Sequence, residues 1–447
     1  MVAIVTSVQL NSSDLYLSDK FEINSTPQTR NYFWTITNET AAPDGFSRNM
    51  LLVNSQFPGP LIEANTGVTQ CPIQPGQNFT YTFDIGGQYG TFWYHAHAQN
   101  FNSDGIAGPM IVHSVNDPLK RGVDFDQDII LLVKMSERIL EQMLSPTGFN
   151  NSFAAPVIID TSQDTVGSTF NLRAVMDTDC LAPGITGRAG TALGVIRIVD
   201  PNNPPSSDSD VAIPTTSDWS DTLGGACLDL DPSTMRPLVP QDACTNLLGR
   251  VFFSTSFGTI ASDEGNSSVV IGSFLLMRLP GSVTRPNRPL LNELLAGGPG
   301  TINSSDVAAF TLEQPGCYDI VINNLDAALE HSYHLREINA TTVSGLQYNT
   351  TNPLRRDTQV IGGGSYHVVR VLADNPGVWI LHCHLGWHLG AGFAGMVVMQ
   401  PSVLRQRTAP EGNQELCRAI LPQDIDVIEP GKRRRGLQSY SWSDFQT

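Results

Sequence analysis

Apolar and polar residues along this chain alternate in short bursts, and helical spacing is scarce. Phe79–Phe83, Val251–Ser254 and Tyr366–Leu372 are β-branched or aromatic runs bounded by Gly, Pro, Asn and Asp, the pattern of strands in a sandwich or barrel. The best helical periodicity lies in Ile129–Met143, where DIILLVK runs as a strand would before SERILEQML turns helical. An all-β fold follows. Asp200–Asp221 is rich in Pro, Ser and Asp and poor in apolar residues, so it reads as a linker or long surface loop. Beyond Pro401 the chain turns polar, and Lys432–Arg435 is a lone basic cluster in a solvated tail.

Length and charge narrow the field. The 447 residues suit about three domains. Twenty-six basic against 43 acidic residues give a net charge of −17, which repels a phosphate backbone and excludes nucleic acid as a partner. No run approaches the ~18 apolar residues of a spanning helix, so no membrane partner is expected. Nine Asn-x-Ser/Thr sequons and seven scattered cysteines, none in a Cys-x-x-Cys pair, point to a secreted glycoprotein with disulfides. Met1–Leu10 is apolar but lacks a basic flank and a clear cleavage site, and reads as the clipped remainder of a signal peptide.

Compared with itself, the chain repeats at an offset of 287 residues. Gly90-Thr-Phe-Trp-Tyr-His95-Ala-His97 lies over Gly377-Val-Trp-Ile-Leu-His382-Cys383-His384, with Gly105 over Gly392 and Gly108 over Gly395. A repeat this distant indicates duplicated domains. Alternation along a strand puts His95 and His97 on one face, His382 and His384 on one face, and Cys383 on the other. Two such strands facing each other across a domain interface bring four imidazoles to one cavity, donors that suit copper, zinc or iron.

Cys383 serves a second site. His388 follows five residues later, and His331 or His334 supplies another imidazole, giving the His₂Cys set of a blue-copper electron-transfer centre. Phe393, ten residues past the cysteine, stands where an axial ligand would and cannot ligate, which favours a high reduction potential. Seven of the nine histidines fall in these motifs, leaving His113 and His367. A lone His-x-His is usually structural, and Cys383 alone would be a disulfide partner; the repeat and the clustered histidines favour metal. Asp104 and Asp326, beside the motifs, read as solvated carboxylates, and His113 as structural.

These stretches resemble the multicopper oxidases, in particular the laccase-like enzymes of filamentous ascomycete fungi. The likeness rests on FPGPLIEAN and VTQCPIQPGQNFTYTF, on TFWYHAHAQNFNSDGIAGPMIV, on GCYDIVINNLDAALEHSYHL, and on NPGVWILHCHLGWHLGAGFAGMVVMQP. The resemblance implies three cupredoxin-like, Greek-key β-sandwich domains, here residues 1–118, 119–220 and 221–405, with the first two shortened and 406–447 a polar tail. It implies a type 1 copper on His331, Cys383 and His388 with Phe393 axial. It further implies a trinuclear type 2/type 3 copper cluster, with His334 a type 2 ligand and His95, His97, His382 and His384 type 3 ligands. A monomer that oxidises small phenolic or aromatic substrates by one electron, with dioxygen reduced to water, is the implied enzyme.

The departures are specific. The family's His-Trp-His-Gly motif is absent where Glu63–Gln70 runs through, and its His-Leu-His-Gly is here His334-Leu335-Arg336-Glu337, whose guanidinium cannot bind copper. A further block is missing near Phe149–Ala155. Five of the eight cluster ligands remain against all three at type 1. The alternatives that follow are a type 1-only electron carrier, a ferroxidase using Glu330 beside His331, and an inactive product.

Overall fold

A computed structural model describes, apart from scattered single residues, residues 2–6, 29–42, 47–62, 75–81, 89–97, 104–126, 128–130, 160–175, 191–200, 239–261, 268–276, 279–281, 290–297, 309–326, 331–335, 339–340, 350–355, 358–384, 388–389 and 393–408. Strands dominate. β1 (Val2–Thr6) pairs with β7 (Thr191–Ile198), which also pairs with β6 (Thr169–Val175), so the first strand joins a sheet built from the middle of the chain. Two hairpins lie between them: β2 (Ile36–Ala41) with β3 (Arg48–Val53), and β4 (Gly90–His95) with β5 (Ala107–Val112).

The C-terminal half is a β-sandwich. Its six-stranded sheet runs β10 (Leu279–Gly281), β9 (Ser268–Leu276), β8 (Leu247–Ala261), β12 (Cys317–Asn324), β16 (Tyr366–Leu372), β14 (Asn339–Ala340). Its five-stranded sheet runs β11 (Ala309–Leu312), β18 (Ala394–Met399), β17 (Gly377–Cys383), β13 (His331–Leu335), β15 (Thr358–Ile361). Every second residue of each inner strand enters one shared core: Phe253 from β8, Tyr318, Ile320 and Ile322 from β12, Val369 and Val371 from β16, Leu381 and Cys383 from β17. Each fully buried Phe, Leu or Ile there contributes roughly 1.5–3 kcal/mol. The Cys244–Cys317 disulfide ties the approach to β8 to the start of β12. On the outer face of the five-stranded sheet, α1 (Leu290–Gly297) and α2 (Pro401–Leu404) cover one end, packing Leu290, Leu291, Leu294 and Leu404 on Val398.

The sequence repeat survives as identical strand pairing. In β4–β5 the partners are Gly90↔Val112, Tyr94↔Gly108 and His95↔Ala107; in β17–β18 they are Gly377↔Met399, Leu381↔Gly395 and His382↔Ala394, each shifted by the same offset. Small residues opposite each His-x-His let the ring-bearing strand sit close to its partner.

Val251–Ser254 falls inside β8 and Tyr366–Leu372 coincides with β16. The strand expected at Phe79–Phe83 does not form over its described part: residues 79–81 carry no ladder, and Phe79 instead packs edge-on against Tyr81 at 4.9 Å. The strand-then-helix stretch expected over Ile129–Met143 lies almost wholly outside the described residues, as does most of the 200–221 linker. Among the described residues no helix is long and apolar enough to cross a membrane.

Candidate metal centres

β17 carries two sites on its two faces. Cys383 points into the sandwich core, where its Sγ lies 3.4 Å from His388 Nδ1 and 3.7 Å from His331 Nδ1; the two Nδ1 atoms are 3.1 Å apart. His331 stands on β13, whose Tyr333 pairs with Cys383 in the ladder. His388 returns because the intervening loop is closed at its ends: Phe393 N–H donates to His388 O at 2.9 Å, and Cys383 N–H donates to Phe393 O at 3.0 Å. A trigonal ion with bonds of ~2.0 Å to nitrogen and ~2.3 Å to sulfur needs donors about 3.5 Å apart. The set therefore fits a His₂Cys copper, and Cys383 is buried and outside any disulfide. Phe393, fully buried, sets its ring 4.7 Å from the His331 ring and 6.0 Å from that of His388, so the space beside the three donors is apolar.

A carboxylate holds this site, contrary to the solvated role expected of it. Asp326 is only 8% exposed, and its Oδ2 accepts a hydrogen bond from His331 Nε2 at 2.8 Å while Ser256 Oγ donates to its other oxygen. Its backbone N–H in turn donates to Asn324 Oδ1. The protonated Nε2 leaves the Nδ1 lone pair of His331 facing Cys383. Asp104, also expected to be solvated, is buried too, paired with Arg48 at 3.5 Å while its carbonyl accepts Leu51 N–H. His113 is half-buried just past β5.

On the outer face of β17, His382 and His384 meet His95 from β4. One ligand atom of each lies within 4.8 Å of the others. His97 joins them: its Nε2 is 3.2 Å from His95 Nε2, and its ring centroid is 5.2 Å from that of His382. His95 Nδ1 donates to Ala96 O at 3.0 Å and His382 Nδ1 to Cys383 O at 2.8 Å, which puts the Nε2 lone pairs inward. Burial, then the charges of His97, His384 and His382, hold the His95 ring well below the ordinary imidazole range. Burial lowers His382 to about 4. Both are neutral near pH 7, the form that binds metal. His334 pairs with His382 in the ladder; its side chain, like Glu330 and Arg336, lies outside the described residues.

Tyr94 positions the hairpin that presents His95. Its hydroxyl donates to Pro60 O at 2.8 Å, and its ring stacks on Trp34 at 4.5 Å. Trp93, one residue earlier, stacks on His95 at 4.2 Å and approaches His384 at 5.1 Å. Sequence reasoning passed over Trp93 and gave Asp326 no part in the site. An aromatic two residues before a strand histidine and an acid five residues before a ligand were the available signals.

A β-sandwich carrying a buried His₂Cys set beside a second histidine cluster defines the class: a cupredoxin-type copper protein. Comparison with known proteins agrees. Residues 284–403 and 65–117 match the multicopper oxidase family. Laccase-2 of Cryptococcus neoformans var. grubii is 30% identical over 566 aligned positions, covering 93% of this chain and 91% of the relative. Laccase-1 of the same organism is 29% identical over 585 positions, covering 98% and 90%. That alignment is longer than the chain itself, so many of its positions face gaps here. The crystal structure of Fet3p, a multicopper oxidase that functions in iron import, superposes with a TM-score of 0.59 at 20% identity, covering 86% of this chain and 94% of that one. The chain belongs to the multicopper oxidase family and is laccase-like.

Membership makes it a copper oxidoreductase, and a type 1 ion plus a trinuclear cluster is the family's complement. The donors at the His₂Cys site fit the first. Those at the interface fit a metal, but five imidazoles at most are too few for three ions.

Proposed function

We propose that this chain is a laccase-like oxidase that takes electrons singly from phenols or aromatic amines at a type 1 copper on His331, Cys383 and His388, and passes them to dioxygen at the interface histidines. The single observation that carries this reading is that one tripeptide, His382-Cys383-His384, contributes to both sites from opposite faces of β17. Copper supplies reversible one-electron chemistry. The protein supplies the rest. Cys383 offers the thiolate, the Asp326 bond fixes the His331 tautomer, and Phe393 keeps a strong axial ligand out. His382 Nδ1 donating to Cys383 O adds a hydrogen bond between the two sites.

We further read residues 1–118, 119–220 and 221–405 as three cupredoxin-like domains of a monomer, with sequons and disulfide favouring an extracellular location. The test is oxygen uptake by the copper-loaded protein with a phenol, an aromatic amine and Fe(II) as separate reductants. Uptake driven by the phenol or amine supports the reading. Uptake driven by Fe(II) alone favours the ferroxidase. An intact blue absorption with no uptake from any reductant favours a type 1-only carrier.

A further inference from the structure

The 447 residues hold nine histidines. His331 and His388 belong to the His₂Cys set. His113 follows β5, whose last residue Val112 pairs with Gly90, at the end of the hairpin away from the His95↔Ala107 pair and some ~17 Å along the ladder. His367 stands on β16, in the other sheet of the sandwich. His95, His97, His382 and His384 remain at the interface, with position 334 beside them.

A copper or zinc ion takes three or four protein donors. His95, His382 and His384 supply three within 4.8 Å of one another. His97 is a suitable fourth, because two nitrogens on one tetrahedral ion with ~2.0 Å bonds lie about 3.3 Å apart, against 3.2 Å between His97 and His95 Nε2. A second ion would need donors of its own, and among the described residues the only other group of three or more metal-suited side chains is the His₂Cys set. Trp93 occupies the space against His95 and His384 on one side.

We propose that the interface of this chain holds a single copper ion on His95, His382 and His384, with His97 as fourth ligand, so that the protein carries two coppers and reduces dioxygen by two electrons to hydrogen peroxide. The product follows from electron count. Two coppers store two electrons, one from each of two phenols. Each phenol loses one electron and its hydroxyl proton to give a phenoxyl radical. Dioxygen gains those two electrons and two protons, keeps its O–O bond and leaves as hydrogen peroxide. Two phenolic O–H bonds break and two peroxide O–H bonds form. Only the product rests on the oxidase reading above; the ion count does not.

The experiment is copper analysis and quantitative electron paramagnetic resonance on the full copper-loaded chain, followed by phenol, dioxygen and peroxide measured together. Two coppers per chain are expected, both visible by resonance because isolated ions do not cancel each other's spins. His95→Ala is expected to lose one copper while keeping the visible thiolate-to-copper absorption, which also reports that the variant has folded. One peroxide is expected per two phenols consumed. Four coppers, one copper, a spin count below the copper count, or no copper loss in His95→Ala overturns the site. One dioxygen per four phenols without peroxide overturns the product. Two coppers with no phenol oxidation supports the site and overturns the oxidase reading instead.

Discussion

Asp326 Oδ2 accepts a hydrogen bond at 2.8 Å from Nε2 of His331, the imidazole whose other nitrogen faces Cys383. A carboxylate in this place fixes the ring's tautomer and orientation as a ligand. Asp326→Ala is therefore expected to weaken copper binding at the His₂Cys site by about 10–100-fold. Asp326→Asn, which can still accept through Oδ1, should lose less. Copper titration followed by visible absorption measures both, and equal affinity in all three proteins would show that the bond does not support the site.

The buried interface histidines make the metal-free protein acid-sensitive. His382 is lowered by burial from 6.5 to about 4, so the unfolded chain takes up its proton first as pH falls. The stability this group contributes is complete above about 6.5 and is lost between there and about 4, amounting to roughly 3 kcal/mol. His95 shifts in the same direction. Urea melts of the apo protein across that range should show falling stability, and His382→Gln should flatten the slope. An unchanged slope would mean the ring is accessible to protons in the folded state.

Alternation along a strand was enough to read the two-faced design from the letters: Cys383 inward, His382 and His384 outward, and the same pattern one repeat earlier at His95 and His97. The repeat also survives as hairpin register, because the small residues Ala107, Gly108, Ala394 and Gly395 occur at matched positions. Asp326 and Asp104 were misread as solvated because burial of an acid depends on partners far off in sequence, Ser256 and Arg48, which no local pattern announces. Phe79 and Tyr81 have strand-like composition, but a ladder needs a neighbour, and β-propensity reports side-chain fit more than backbone preference. Trp93 drew no reading from the sequence, because its place against His384 depends on how two distant segments dock.

Gly108 has no room for a side chain. A Cβ there would collide with the Tyr94 hydroxyl and meet Gly59 O at 2.8 Å, so the ring that braces the His95 hairpin sits on the glycine itself. Gly108→Ala is expected to cost about 1–3 kcal/mol and to displace Tyr94 from Pro60 O. Because Tyr94 precedes His95, copper binding at the interface should fall along with stability, while the visible absorption of the His₂Cys site stays. Denaturant melts and copper content read the two effects separately, and a drop in stability with full copper binding would confine Tyr94 to a packing role.

On the outer face of the six-stranded sheet, Asp319 of β12 stands directly between Arg370 of β16 and Arg250 of β8 in the strand register. Arg370 makes the closer pair, with Nε 2.8 Å and Nη2 3.2 Å from the two carboxylate oxygens, and its Nη1 donates to Cys244 O. Arg250 reaches the carboxylate at 3.1 Å but is 41% exposed on its side chain, so water screens much of its share. Asp319 is fully buried, and its two carboxylate oxygens accept from Nε and Nη2 of Arg370. Removing it strands a buried guanidinium, a loss of about 3–5 kcal/mol, whereas removing the exposed partner should cost under about 1 kcal/mol. Asp319→Ala and Arg250→Ala are thus expected to differ severalfold in their effect on denaturant stability. Both lie on the six-stranded sheet, away from the donors of β17, so a folded Asp319→Ala protein should still bind copper at the His₂Cys site. Equal costs for the two variants would mean that Arg370 finds other acceptors, with Cys244 O the first candidate.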